Sequence, residues 1–235
     1  MFFRKKEVFP ESPVKVDNAL PTMALSSHDD KAKPSKELMN ISLDAIAEAR
    51  KIDLSSVCKR MKAPPFYPNI WPGEHYKLLA GFVKVCKPKC VVEIGTYQGL
   101  SLLSLKEHLP QGSKILSFDV VPWQNIEGTI LKEEDFEVNR SYQIVADLSI
   151  PSVFEAHKRM LSEAEVIFID VTHDGILEEK LYTLLKTVIF KKEPLIIFDD
   201  IRFFSMLKFW RNIVDPKIDL TSFGHWSGTG VTLWQ

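Results

Sequence analysis

From residue 90 to residue 198, short apolar runs alternate with stretches whose apolar positions return every three or four residues. The runs at 90–94, 115–118, 142–146, 166–169 and 195–198 lack a polar face, which marks strands buried on both sides. Helical spacing fills 100–109, 153–161 and 177–189. Parallel strands need a crossover between them, and a helix is the usual one, so the alternation predicts a parallel sheet covered on both faces.

The tail breaks the pattern. Residues 218–223 and 231–234 read as two strands joined by the turn-rich stretch 224–230, which has no room for a helix, so they should pair antiparallel. The expected fold is a doubly wound, Rossmann-like α/β domain with a mostly parallel seven-stranded sheet, an antiparallel C-terminal hairpin and an N-terminal extension. A chain of 235 residues fits one such domain.

The domain is expected over 61–235, with 1–60 as the extension. Pro10, Pro13, Pro21 and Pro34 interrupt the first 35 residues, and one helical stripe follows through Leu38, Ile41, Ala45, Ala49 and Ile52. A lid, an arm holding a homodimer together and a disordered tail all remain open for it. Pro64, Pro65, Pro68 and Pro72, interleaved with Phe66, Tyr67 and Trp71, form a segment suited to walling a pocket.

A net charge of −1 and a pI near 6.6 provide no field for gathering phosphates, so no nucleic-acid partner is expected. Charge at Arg4, Lys5, Lys6 and Glu7 falls where a signal peptide needs apolar residues, and no run approaches the length of a membrane span. Cys58, Cys86 and Cys90 are odd in number and lack zinc-knuckle spacing, which suits a reducing cytoplasm.

In open α/β sheets ligands bind beyond the carboxyl ends of the strands, so the polar residues there carry the functional reading. The first such place reads Glu93-Ile94-Gly95-Thr96-Tyr97-Gln98-Gly99-Leu100-Ser101, a strand end, a turn with two glycines and a helix start. It lacks the third glycine of the dinucleotide fingerprint. Asp119 ends the next strand, where a carboxylate can accept from a ribose diol; a helix-cap or solvated aspartate is the plainer reading. Asp147 ends the third strand, as a ligand contact or as a cap for the helix beginning near Pro151.

The pattern E-x-G-x-x-x-G-x-S resembles motif I of class I methyltransferases, in the form found in small O-methyltransferases of the catechol and caffeoyl-CoA type. The likeness covers roughly residues 73–234. It implies S-adenosylmethionine as cofactor, with Gly95, Thr96, Tyr97, Gly99 and Ser101 beneath it, Glu93 at its methionine end, Asp119 on its ribose and Asp147 near its adenine.

Asp170 ends the fourth strand and Asp199-Asp200 the fifth. If those strands are neighbours their ends lie about 5 Å apart. Three carboxylates so close cannot all stay ionised uncompensated, and hard oxygens suit magnesium. The resemblance implies the same site, with Asp170, Asp199 and Asp200 as Mg2+ ligands and the acceptor oxygen bound to the metal. His173, three residues beyond Asp170, stands where the catechol-type enzymes carry a catalytic lysine and is the candidate base, with Asp170 beside it. Val171, Thr172 and Gly175 depart from the family pattern.

His225 and Trp226, with Trp71 and Trp123, are candidate walls for a small-molecule acceptor, a sugar, phenol or other natural product. Two other classes compete with methyl transfer. A nicotinamide-dependent oxidoreductase is favoured by Asp119 and opposed by the missing glycine; a non-catalytic cofactor-binding module is hinted at by Thr172 and the proline-rich arm.

Overall fold

The computed structural model describes residues 30–62, 68, 75–137, 141–203 and 205–235. The arm before residue 30 and most of the proline-rich segment, Trp71 included, lie outside the described residues.

The strands are β1 (Cys90–Ile94), β2 (Lys114–Asp119), β3 (Ser141–Val145), β4 (Val166–Ile169), β5 (Leu195–Asp199), β6 (Lys217–Asp219) and β7 (Thr229–Leu233). They form one sheet in the order β3-β2-β1-β4-β5-β7-β6. The first five run parallel, and β7 pairs antiparallel with both β5 and β6. Among the described residues the sheet is thus seven-stranded, α/β and Rossmann-like, with antiparallel C-terminal strands.

One face carries α1 (Lys36–Ala49), α2 (Ser55–Cys58), α3 (His75–Cys86) and α4 (Leu100–Lys106). Their Leu38, Leu79, Phe82 and Leu102 pack on Val91, Ile115, Phe168 and Ile197. A short α5 (Glu134–Glu137) precedes β3. The other face carries α6 (Pro151–Leu161), α7 (Ile176–Leu185) and α8 (Met206–Asn212), whose Phe154, Leu181 and Phe209 meet Val92, Phe118, Ile167 and Phe198. Alternate residues of each central strand therefore serve opposite cores, as the period of two requires.

The helix of the extension, α1, lies tightly on α3. A Cβ on Gly81 would stand 2.5 Å from the carbonyl oxygen of Ala45, so glycine is what lets the two backbones approach. Its buried Leu38, Ala45 and Ala49 belong to the first core.

Two details differ from the pattern in the sequence. The expected strand 218–223 is only Lys217–Asp219, because the Asp219 side chain accepts from the Thr221 amide at 2.9 Å and turns the chain. The helix α8, with Met206, Leu207, Phe209 and Trp210 buried, falls where the sequence pattern predicts no element. Among the described residues no helix is long and apolar enough to cross a membrane.

Candidate active site

Strand order reverses between β1 and β4, which opens a crevice at their carboxyl ends. Gly95 leaves β1 at φ 103°, and a Cβ there would fall 1.8 Å from the carbonyl oxygen of Asp170 on the neighbouring strand. Only glycine fits. Beyond it, Asp119 organises the turn: Oδ2 accepts from the amides of Thr96 at 2.9 Å and Tyr97 at 3.0 Å, and Oδ1 from Val121 at 3.0 Å. A carboxylate has about four acceptor sites, so roughly one is left for a ligand.

Behind the turn, Gln143 Nε2 donates to Thr96 Oγ1 at 3.1 Å, Thr96 Oγ1 lies 2.7 Å from Ser117 Oγ, and Ser117 Oγ donates to Glu93 Oε2. The donors all run toward one carboxylate oxygen. Glu93 is fully buried, and its Oε1 has no hydrogen-bond partner among the described residues. Burial pushes this carboxyl up to about 8, tempered by the nearby hydroxyls of Ser101 and Ser117.

Asp147 accepts from the Ser149 amide at 2.9 Å, while the residue capping α6 is Ile150, with no side-chain bond to the helix. Asp147 thus closes a turn and leaves the helix end alone.

At the ends of β4 and β5 three aspartates meet three histidines. His173 places Nε2 2.7 Å from Asp170 Oδ1 and Nδ1 3.2 Å from Asp200 Oδ2. His225 Nδ1 lies 3.2 Å from Asp199 Oδ1 and 3.1 Å from Asp200 Oδ1, and Ser227 Oγ donates to Asp200. Burial alone would lower both imidazoles, yet the hydrogen bonds and charges of the aspartates prevail: His173 rises to about 9 through Asp170 first, and His225 to about 10 through Asp199 and Asp200. Both carry charge at neutral pH, so His173 offsets its aspartates until it gives up that proton.

The third histidine, His75, opens α3 and is buried on Phe168 and His225, with ring centroids 5.7 and 5.3 Å away. Burial first, and His225 second, hold it down at about 3, hence neutral. Its role is absent from the sequence reading, because its contacts come from β5 and β7, far along the chain. His225, read as an aromatic wall, lines the second cavity and also stands among the aspartates.

Two cavities of about 430 Å³ each flank the glycine turn. Gly95, Asp119, Asp147, Asp170 and His173 line the first; Thr96, Gly99, Ser101, Tyr76, Asp170 and His225 line the second. Asp170 and Tyr97 border both. Trp123 stacks on Phe136 at 5.5 Å and lines neither, while Trp226 is largely exposed beside His225. Tyr97, His173 and Asp200 hold φ values of 41°, 58° and 56°, left-handed backbone that costs a non-glycine residue about 1–2 kcal/mol.

Residues 68–207 match the family model described as O-methyltransferase. No curated protein sequence matches the chain. Among solved structures, the SAH-bound methyltransferase PaMTH1 of Podospora anserina is 15% identical, with 83% of this chain and 88% of that chain covered and a TM-score of 0.50. The O-methyltransferase from Bacillus cereus in complex with SAH is 16% identical over 81% of this chain and 90% of that one, with a TM-score of 0.53. At such identities the likeness to these structures is one of fold.

Proposed function

The chain belongs to the O-methyltransferase family, and from that membership we propose that it moves the methyl group of S-adenosylmethionine to a hydroxyl oxygen of a small acceptor, a sugar, phenol or other natural product, with a divalent cation at its acidic edge. The observation that carries this reading is the shared wall: Asp170 borders the cavity beside Asp119 and the cavity beside His225, so a cofactor in the crevice would face the aspartate–histidine cluster.

The residues fit both groups. Glu93 Oε1 is a buried acceptor with no hydrogen-bond partner among the described residues, suited to the ammonium at the methionine end, and Gly95 leaves a cradle that any side chain would fill. The cluster offers two carboxylates and an imidazole within 4.8 Å of one another. When bound, S-adenosylmethionine supplies a methyl on a sulfonium and the cation supplies Lewis acidity toward the acceptor oxygen.

The chain's own part is positioning and proton transfer. Asp119 holds the turn in shape through three backbone amides. With its ring neutral, His173 would take the proton of the acceptor hydroxyl at Nδ1, while Asp170 would orient the ring through Nε2 and stabilise the imidazolium. The aspartates favour the charged form of the ring, so His173 serves as base only once that proton has left.

Labelled-methyl transfer to a panel of sugars and phenols tests the reading. We expect excess chelator to slow transfer at least about a hundredfold, added divalent cation to restore it, and Asp199→Ala to respond to neither. Undiminished transfer in chelator removes the cation, and cofactor binding with no transfer across the panel leaves only a binding module.

Glu93 gives a pH prediction. Below about 8 its carboxyl is protonated, whereas an ammonium beside it favours the ionised form, so binding S-adenosylhomocysteine releases a proton. Affinity should rise with pH by up to about tenfold per unit and level off near 8. Calorimetry in buffers of different ionisation enthalpy reads the proton directly, and Glu93→Gln should flatten the profile; a flat wild-type profile refutes the assignment.

A further inference from the structure

Consecutive residues on an extended strand point to opposite faces, so the two aspartates closing β5 would ordinarily diverge. The left-handed backbone of Asp200 breaks the alternation, and one ligand atom each from Asp199, Asp200 and His225 lies within 4.8 Å of the others. Neither Asp170 nor His75 is one of these three: Asp170 Oδ1 is engaged by His173 Nε2 at 2.7 Å, and the His75 imidazole approaches the group through Asp199.

A second observation points to the same place. His75 is 2% exposed, its Nε2 has no hydrogen-bond partner among the described residues, and that nitrogen stands 3.8 Å from Asp199 Oδ2. Its other nitrogen is bonded to Thr229 Oγ1 at 2.9 Å, which holds the ring with Nε2 turned toward the aspartates. The same Thr229 oxygen accepts from the His225 amide at 2.8 Å, so one hydroxyl positions both histidines. A ligating imidazole commonly has its second nitrogen fixed in this way.

Resting on the cation-assisted reading above, we propose that the cation is held by Asp199, Asp200 and His225 with His75 as fourth donor, and that the site takes a late first-row divalent ion such as Zn2+ in preference to Mg2+. Magnesium favours all-oxygen shells and dehydrates reluctantly, whereas imidazole nitrogen suits zinc and its neighbours in the series. Zinc also expands readily to five-coordinate, which leaves a position for an acceptor oxygen. Asp170 stays with His173 as its orienting partner.

The test is calorimetric titration of the metal-free full chain with ZnCl2 and, separately, MgCl2. One Zn2+ per chain should bind at least about a hundredfold more tightly than Mg2+, a comparison that needs no variant. His225→Asn should weaken Zn2+ by about thirtyfold and His75→Asn by about tenfold, with Mg2+ moved less than about threefold by either. Loss of the same Zn2+ step in Asp199→Asn separates it from binding by thiols. Mg2+ binding as tightly as Zn2+, or Zn2+ unmoved by His225→Asn, overturns the proposal. If Mg2+ binds tightly and Asp170→Asn abolishes it, cation-assisted transfer stands on an all-carboxylate site; if neither ion binds while S-adenosylhomocysteine still does, both readings fall.

Discussion

Asp119→Ala should weaken S-adenosylhomocysteine binding at least about a hundredfold, or about 2.7 kcal/mol. The carboxylate accepts from the amides of Thr96, Tyr97 and Val121, so its removal leaves three donors of the turn without their acceptor. Hydrogen bonds to a charged partner contribute roughly 1.5–3 kcal/mol each, and the loss spreads between a looser turn and a missing ligand contact. Tyr97 makes the turn sensitive, because its left-handed backbone, φ 41°, relaxes once the restraint goes. Titration calorimetry measures the affinity and a thermal melt the fold. A variant that binds within about threefold of the parent would show that the turn holds without Asp119, and the cofactor assignment would lose its main support.

Gly95→Ala should be the most damaging glycine-to-alanine change among the described residues. The new Cβ would stand 1.8 Å from the carbonyl oxygen of Asp170, and φ 103° is strained for any L side chain. No flexible side chain can yield there, since the obstacle is backbone whose own amide is bonded to Ile94. Strain of about 1–3 kcal/mol and overpacking of about 1–3 kcal/mol together lower the thermal midpoint by roughly 10 °C. Parting β1 from β4 also displaces Asp170, so cofactor affinity should fall and the His173 ring should lose its orienting partner. A midpoint within about 3 °C of the parent would mean the two strands are far more compliant than their spacing implies.

The sheet was legible because its strands are buried on both faces and so announce themselves as apolar runs; 90–94 and 166–169 match β1 and β4. α8 was not, since its seven residues, Met206–Asn212, make only about two turns, too few for the spacing of the polar Lys208 and Arg211 to stand out as a period. The position of Asp119, Asp170, Asp199 and Asp200 at the carboxyl ends of their strands was legible because each directly follows or closes an apolar run. The histidines were harder. His225 lies in a turn with Trp226 and reads as a wall until Asp200 brings its carboxylate beside it, and His75 owes its burial to Phe168 and Thr229, which are remote in sequence. The one sequence signal for His75 is a lone polar residue on the apolar stripe of α3.

Three non-glycine residues with left-handed backbone, Tyr97, His173 and Asp200, stand at one crevice. The consequence is evolutionary. Selection for heat resistance alone would drift toward glycine or asparagine at these positions, each exchange relieving torsional stress while stripping away a group the crevice uses. Ranking laboratory variants by melting point would therefore enrich sturdy, inert proteins, and a screen meant to keep turnover must score it alongside durability.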